Sequence, residues 1–168
     1  GDRVAVLSQN CPEYREAYFA CAKAGLTAVP LNYRLASTEL LYIVNDSMPR
    51  VLIAGDGFQD IAESLQSQAD SIQQLVSIGQ SNRGVESYVN LVSSYPCSEP
   101  DIEVDGEDIL WIMYTSGTTG RPKGAMLTQH NVSSCAPIFA KYLDCGADSV
   151  FLAAMPLHGS AGALLDYA

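Results

Sequence analysis

ILWIMYTSGTTGRPKGAMLTQHN, residues 109–131, is an apolar run of strand length that breaks into a loop of small and hydroxylated residues and then resumes as a mixed segment. Between Thr115 and Gly124 stand three glycines, four hydroxyl side chains, Arg121, Pro122 and Lys123, a composition unable to build a core. It is suited to an anion cradle. Gly117 and Gly120 permit positive φ and a close backbone approach, so successive N–H groups can converge on a phosphate. Thr115, Ser116, Thr118 and Thr119 add hydroxyl donors, and Lys123 adds a compact positive charge. The Walker A pattern does not fit, because it requires the lysine directly after a glycine and at the opening of a helix. Here Pro122 precedes Lys123 and Gly124 follows it, which places the lysine in a loop.

Toward the N-terminus, residues 3–8 (RVAVLS), 26–31 (LTAVPL), 50–54 (RVLIA) and, more weakly, 75–78 are short apolar runs of strand length. Helical spacing separates them. In residues 12–25 the apolar positions recur every three or four residues, with Asn10 as N-cap, Pro12 in the first turn and Gly25 as the stop. Ser37 caps a second helix to about Asp46, with Leu40, Leu41, Ile43 and Val44 facing inward, and residues 58–69 form a third. The order is βαβαβαβ, which predicts an α/β fold: a mostly parallel sheet with flanking helices and right-handed crossovers. Residues 93–108 carry two prolines and an acidic run and read as a solvated connector rather than a metal cluster. Beyond the loop, residues 125–128 suggest a short strand. Thr128 or Asn131 caps a helix to about Leu143 that contains Pro137, and residues 149–155 (SVFLAAM) suggest a buried strand. No residue before Ile109 is singled out for a site.

The string YTSGTTGRPKG, followed by Thr128, Gln129, His130 and Asn131, resembles the phosphate loop of the adenylate-forming (AMP-binding) enzymes: acyl-CoA synthetases, adenylation domains of nonribosomal peptide synthetases, and luciferases. Residues 1–34 resemble the opening segment of that family; residues 56–69 and 79–100 match it least. The resemblance implies a fragment of the large N-terminal domain. Residues 1–92 would be its βα repeats, 93–108 the connector, and 109–168 the phosphate-loop region and start of the acid pocket. It implies ATP-dependent activation of a fatty or aromatic carboxylic acid as an acyl-adenylate, followed by transfer to the thiol of coenzyme A. Thr115, Ser116, Gly117, Thr118, Thr119, Gly120 and Lys123 would hold the β- and γ-phosphates. Mg²⁺ is expected beside them, with Thr118 as its protein contact.

A second element, residues 156–162 (PLHGSAG), resembles the family's Pro-Leu-aromatic-His-x-x-Gly, which implies a lining for the acid pocket. Aligned without gaps, His158 takes the aromatic place and Gly159 the histidine place. The family's downstream elements for adenine, ribose and the catalytic lysine are absent from this chain. The isolated chain is therefore expected not to turn over, and no catalytic residue is assigned within it. An amino-acid-adenylating domain and a catalytically dead nucleotide-binding or interaction module remain alternatives.

Composition bounds these readings. The 168 residues are 48% hydrophobic and 17% charged, enough for one sizeable core. A formal net charge of −10, from 9 Lys+Arg against 19 Asp+Glu, opposes binding to nucleic acid or an anionic membrane. Five cysteines with no C-x-x-C spacing support neither a disulfide framework nor a zinc site. Reduced thiols in a cytoplasmic protein are expected, and no run is long enough to span a membrane. Peripheral membrane association of the parent enzyme is compatible with this.

Overall fold

The computed structural model describes residues 1–80, 84–115, 120–146, 148–150, 152 and 154–167. Its first half winds as β1 (Arg3–Leu7), α1 (Pro12–Lys23), β2 (Thr27–Leu31), α2 (Ser37–Ser47), β3 (Val51–Ala54), α3 (Gln59–Gln68) and β4 (Gln74–Ser77). A two-residue strand β5 (Glu86–Ser87) and a short helix α4 (Tyr88–Ser93) follow. Then come β6 (Ile109–Thr115), β7 (Lys123–Thr128), α5 (Gln129–Tyr142) and α6 (Ser160–Tyr167).

The strands of the first half are apolar throughout because helices cover both faces of the sheet. Alternation along β1 distributes the side chains. Val4 and Val6 pack with Tyr14, Tyr18 and Cys21 of α1, and the same layer takes in Trp111, Val132 of α5 and Ala163 of α6. Ala5 and Leu7 point the other way, into Leu40, Ile43 and Val44 of α2 and Ala62 and Leu65 of α3. Trp111 is fully buried, its ring 5.2 Å from that of Tyr18.

The seven strands are ordered β5-β4-β3-β1-β2-β6-β7, and every neighbouring pair is parallel except β6 with β7. Since β1 pairs with both β2 and β3, the winding reverses beside it. In open sheets of this kind the ligand crevice lies outside the carboxyl ends of the strands at such a reversal. Parallel pairing of β1, β2 and β6 therefore brings three segments to one edge: the one after Leu7, the one after Leu31 and the one after Thr115.

The mostly parallel α/β sheet matches the sequence reading, with local corrections. Asn10 does not cap α1: the N-cap is Cys11, whose side chain makes no capping hydrogen bond to the helix, and Asn10 is engaged elsewhere. At α2 the N-cap is Ala36, whose N–H donates to Glu39 Oε2 at 2.9 Å, and Ser37 is the first helical residue. Lys123 opens β7 instead of lying in a loop, pairing antiparallel with Thr115. The connection from β6 to β7 is too short for the crossover that a parallel pair requires, so a hairpin results. The buried strand expected at 149–155 is not present among the described residues. Val150 is 100% and Leu152 83% exposed, and this apolar run finds no strand to pair with there.

Candidate functional site

Two groups of residues gather at the carboxyl edge of the sheet. The first is the mouth of the β6–β7 hairpin. Thr115 ends β6 and Lys123 begins β7, and the two face each other across the ladder. Both are exposed, and Lys123 forms no ion pair among the described residues. Ser116, Gly117, Thr118 and Thr119 lie outside the described residues. Gly120 has φ +89°, a conformation L side chains rarely adopt, so the loop re-enters β7 through a turn that favours glycine. Helix α2 anchors the hairpin root on one side. Tyr114 Oη donates to Asp46 Oδ2 at 2.5 Å, and the Arg121 guanidinium lies 5.8 Å from the centre of the Tyr42 ring, within cation–π range. Partial burial, with Asp46 as acceptor, holds the Tyr114 hydroxyl well above its ordinary 10.0, so it stays a neutral donor.

Beyond the hairpin, Thr128 Oγ1 accepts from the Asn131 N–H at 3.2 Å while Asn131 Oδ1 accepts from the Thr128 N–H at 3.1 Å. This reciprocal cap fixes where α5 starts, and with it the far end of β7. The His130 side chain is exposed.

The second group surrounds the turn that carries His158 and Gly159. Asn10 holds this turn: its Nδ2 donates to Met155 O at 2.8 Å and its Oδ1 accepts from the Leu157 N–H at 2.9 Å. Tyr18 Oη donates to Leu157 O at 2.6 Å in a buried setting. The Gly159 N–H donates to Pro156 O at 3.1 Å, and Gly159 O accepts from Ala163 as α6 begins, so Gly159 acts through its backbone. The His158 ring meets Tyr33 edge-on, centroids 5.4 Å apart, and its Nε2 is buried without a hydrogen-bond partner among the described residues. Desolvation first, and the Arg34 charge second, push its pKa below the ordinary 6.5. The imidazole is consequently neutral at pH 7.

Of the sequence-selected residues, the structure brings together Thr115, Gly120 and Lys123 in one place and His158 with Gly159 in another. It adds Asn10, Tyr18, Tyr33 and Arg34, all before Ile109, which the sequence reading passed over. Their usable signal is position, since Asn10 follows β1 and Tyr33 and Arg34 follow β2 at the carboxyl ends of adjacent parallel strands. For a metal, Thr118 lies outside the described residues. Among the described ones no group of three or more His, Cys, Asp or Glu could hold an ion, and the acidic run 99–108 forms no such group.

Known proteins resemble this chain in sequence and in fold. The AMP-binding enzyme family matches residues 1–166. The chain is 36% identical over 160 residues to a long-chain-fatty-acid–CoA ligase, FadD13, of Mycobacterium tuberculosis, covering 94% of this chain and 30% of that protein. It is 38% identical over 162 residues to a feruloyl-CoA synthase of an Amycolatopsis species, covering 96% of this chain and 30% of the other. In structure it superposes with TM-score 0.90 on a long-chain-fatty-acid-CoA ligase from Archaeoglobus fulgidus, 27% identical, over 99% of this chain and 33% of that one. The chain thus spans about 30% of the length of these curated relatives. With a hydroxyl- and glycine-rich sequence joining β6 to β7 of a mostly parallel sheet, and with a match running from residue 1 to residue 166, the chain belongs to the AMP-binding enzyme family.

Proposed function

We propose that the protein containing this chain activates a fatty or aromatic carboxylic acid with ATP, forming an acyl-adenylate and then an acyl-CoA thioester. One observation carries this reading: Thr115 and Lys123 face each other across the mouth of a glycine-rich loop, at the sheet edge that also holds the neutral His158. A lysine without an ion pair among the described residues, beside hydroxyl and backbone donors, suits the phosphates of ATP in a chain of net charge −10.

In this reading Thr115, Ser116, Gly117, Thr118, Thr119, Gly120 and Lys123 hold the β- and γ-phosphates. Their donors neutralise the charge that builds on pyrophosphate as the acid carboxylate attacks the α-phosphate. His158 and Gly159 line the acid side, where an uncharged imidazole accepts an apolar acid without stranding a buried cation. Mg²⁺, when bound, supplies further neutralisation of phosphate charge, with Thr118 as the hydroxyl that would touch it. Coenzyme A is the thiol acceptor. The five cysteines are free thiols, and Cys21, buried with its pKa pushed up to about 12, serves as unreactive apolar filler. No helix among the described residues is long and apolar enough to cross a membrane.

Similarity to a fatty-acid ligase and a feruloyl-CoA synthase supports the choice of acid class. The test uses the full-length protein with ATP, Mg²⁺, coenzyme A and a panel of fatty, hydroxycinnamic and amino acids, with products read by mass spectrometry. A fatty or hydroxycinnamoyl thioester is the expected product. Aminoacyl-adenylate alone, or no adenylate from any acid, would overturn the proposal.

A further inference from the structure

The turn at residues 155–158 is held by side chains remote from it in sequence. Asn10, beyond the carboxyl end of β1, uses both ends of its amide, donating to Met155 O and accepting from the Leu157 N–H. Between those two residues stands Pro156, which has no N–H to offer, so the amide spans the one residue that cannot contribute its own donor. Tyr18, nearly two turns into α1 and buried, caps the remaining carbonyl by donating to Leu157 O. From the opposite side α6 presses in at Gly162, where a Cβ would come within 2.3 Å of Pro156 O. Leu157, itself buried, anchors the turn in the core layer of β1 and α1. His158 is the next residue, and its buried Nε2 has no partner among the described residues. The backbone before the imidazole is thus fixed by Asn10 and Tyr18, and the ring is abutted by Tyr33.

We propose that Asn10 and Tyr18 are positioning residues that hold residues 155–157, and through them the His158 imidazole, in place at the acid side of the site. The proposal rests on the reading of His158 as part of the acid pocket. Asn10 and Tyr18 act through the turn: they are assigned no contact with ATP, whose phosphates lie with the hairpin loop. Disturbing them shifts the acid side while leaving the nucleotide side in place.

The test has one arm that needs no activity. Diethyl pyrocarbonate modifies accessible neutral imidazoles, and peptide mass mapping of the full-length protein separates His158 from the exposed His130. Asn10→Ala is expected to raise the modification rate of His158 by about fivefold or more while that of His130 stays the same, because releasing the turn opens it locally. The second arm is kinetic. In Asn10→Ala the KM for the acid rises about tenfold with the KM for ATP unchanged, the pattern of lost binding on one side only. Tyr18→Phe, which removes the bond to Leu157 O and keeps the ring, moves both readouts in the same direction by less. It carries the comparison if Asn10→Ala does not accumulate as folded protein. Unchanged His158 labelling in folded variants overturns the proposal, and so does a parallel rise of both KM values. If the wild-type protein activates no acid, the proposed function fails while the labelling arm still decides whether the clamp holds the imidazole.

Discussion

His158 shows how one residue's surroundings set its chemistry. Its ring is packed edge-on to Tyr33 and lies near Arg34, and desolvation together with that positive charge keeps it unprotonated. A base whose folded pKa lies below its unfolded value takes up a proton on unfolding as the pH falls. Its stabilising contribution is complete above the unfolded value of about 6.5 and is lost as the pH falls toward the lower folded value. Replacing it by glutamine removes that dependence. Urea melts between about pH 7 and pH 5 should therefore show wild-type stability falling more steeply than that of His158→Gln. Parallel pH profiles would contradict the local electrostatics described here.

At the scale of elements, the start of α5 governs the geometry of the hairpin, because Thr128 is at once the last residue of β7 and the N-cap of the helix. Thr128→Ala removes the acceptor for the Asn131 N–H and should cost about 1 kcal/mol in chemical denaturation. A stability equal to wild type would show that the reciprocal cap carries nothing. A cap is a local signal, and it narrows the start of α5 to Thr128 or Asn131; the structure selects Thr128. Asn10 was misread for the same reason. Followed by Pro12 it has the local form of a cap, and only the tertiary arrangement, which brings residues 155–157 to it, reveals a partner about 145 positions away. The run 149–155 failed differently. Apolar content indicated a strand, but pairing is a property of neighbours, and none stands beside it among the described residues. β5 and α4 escaped notice because a two-residue strand and a six-residue helix give no periodicity to read.

Across the whole molecule, the parallel order of β1, β2 and β6 is what gathers the candidate site at one edge. Those strands were visible as short apolar runs, and their shared carboxyl edge follows from their parallel pairing. The sequence could not show that the turn of His158 would be brought to that edge by contacts from Asn10 and from Tyr18 of α1. Nor could it show that α2 would brace the hairpin through Tyr42 and Asp46. We propose that this edge holds the phosphates of ATP through the loop that ends at Lys123. The most direct measurement is acid-dependent ATP–pyrophosphate exchange by the full-length protein and its Lys123→Ala variant, with thermal melting to confirm that both are folded. Loss of a charged donor from a transition state that builds charge on pyrophosphate should lower the exchange rate by about 100-fold or more. Exchange at the wild-type rate in a folded Lys123→Ala protein would contradict the account.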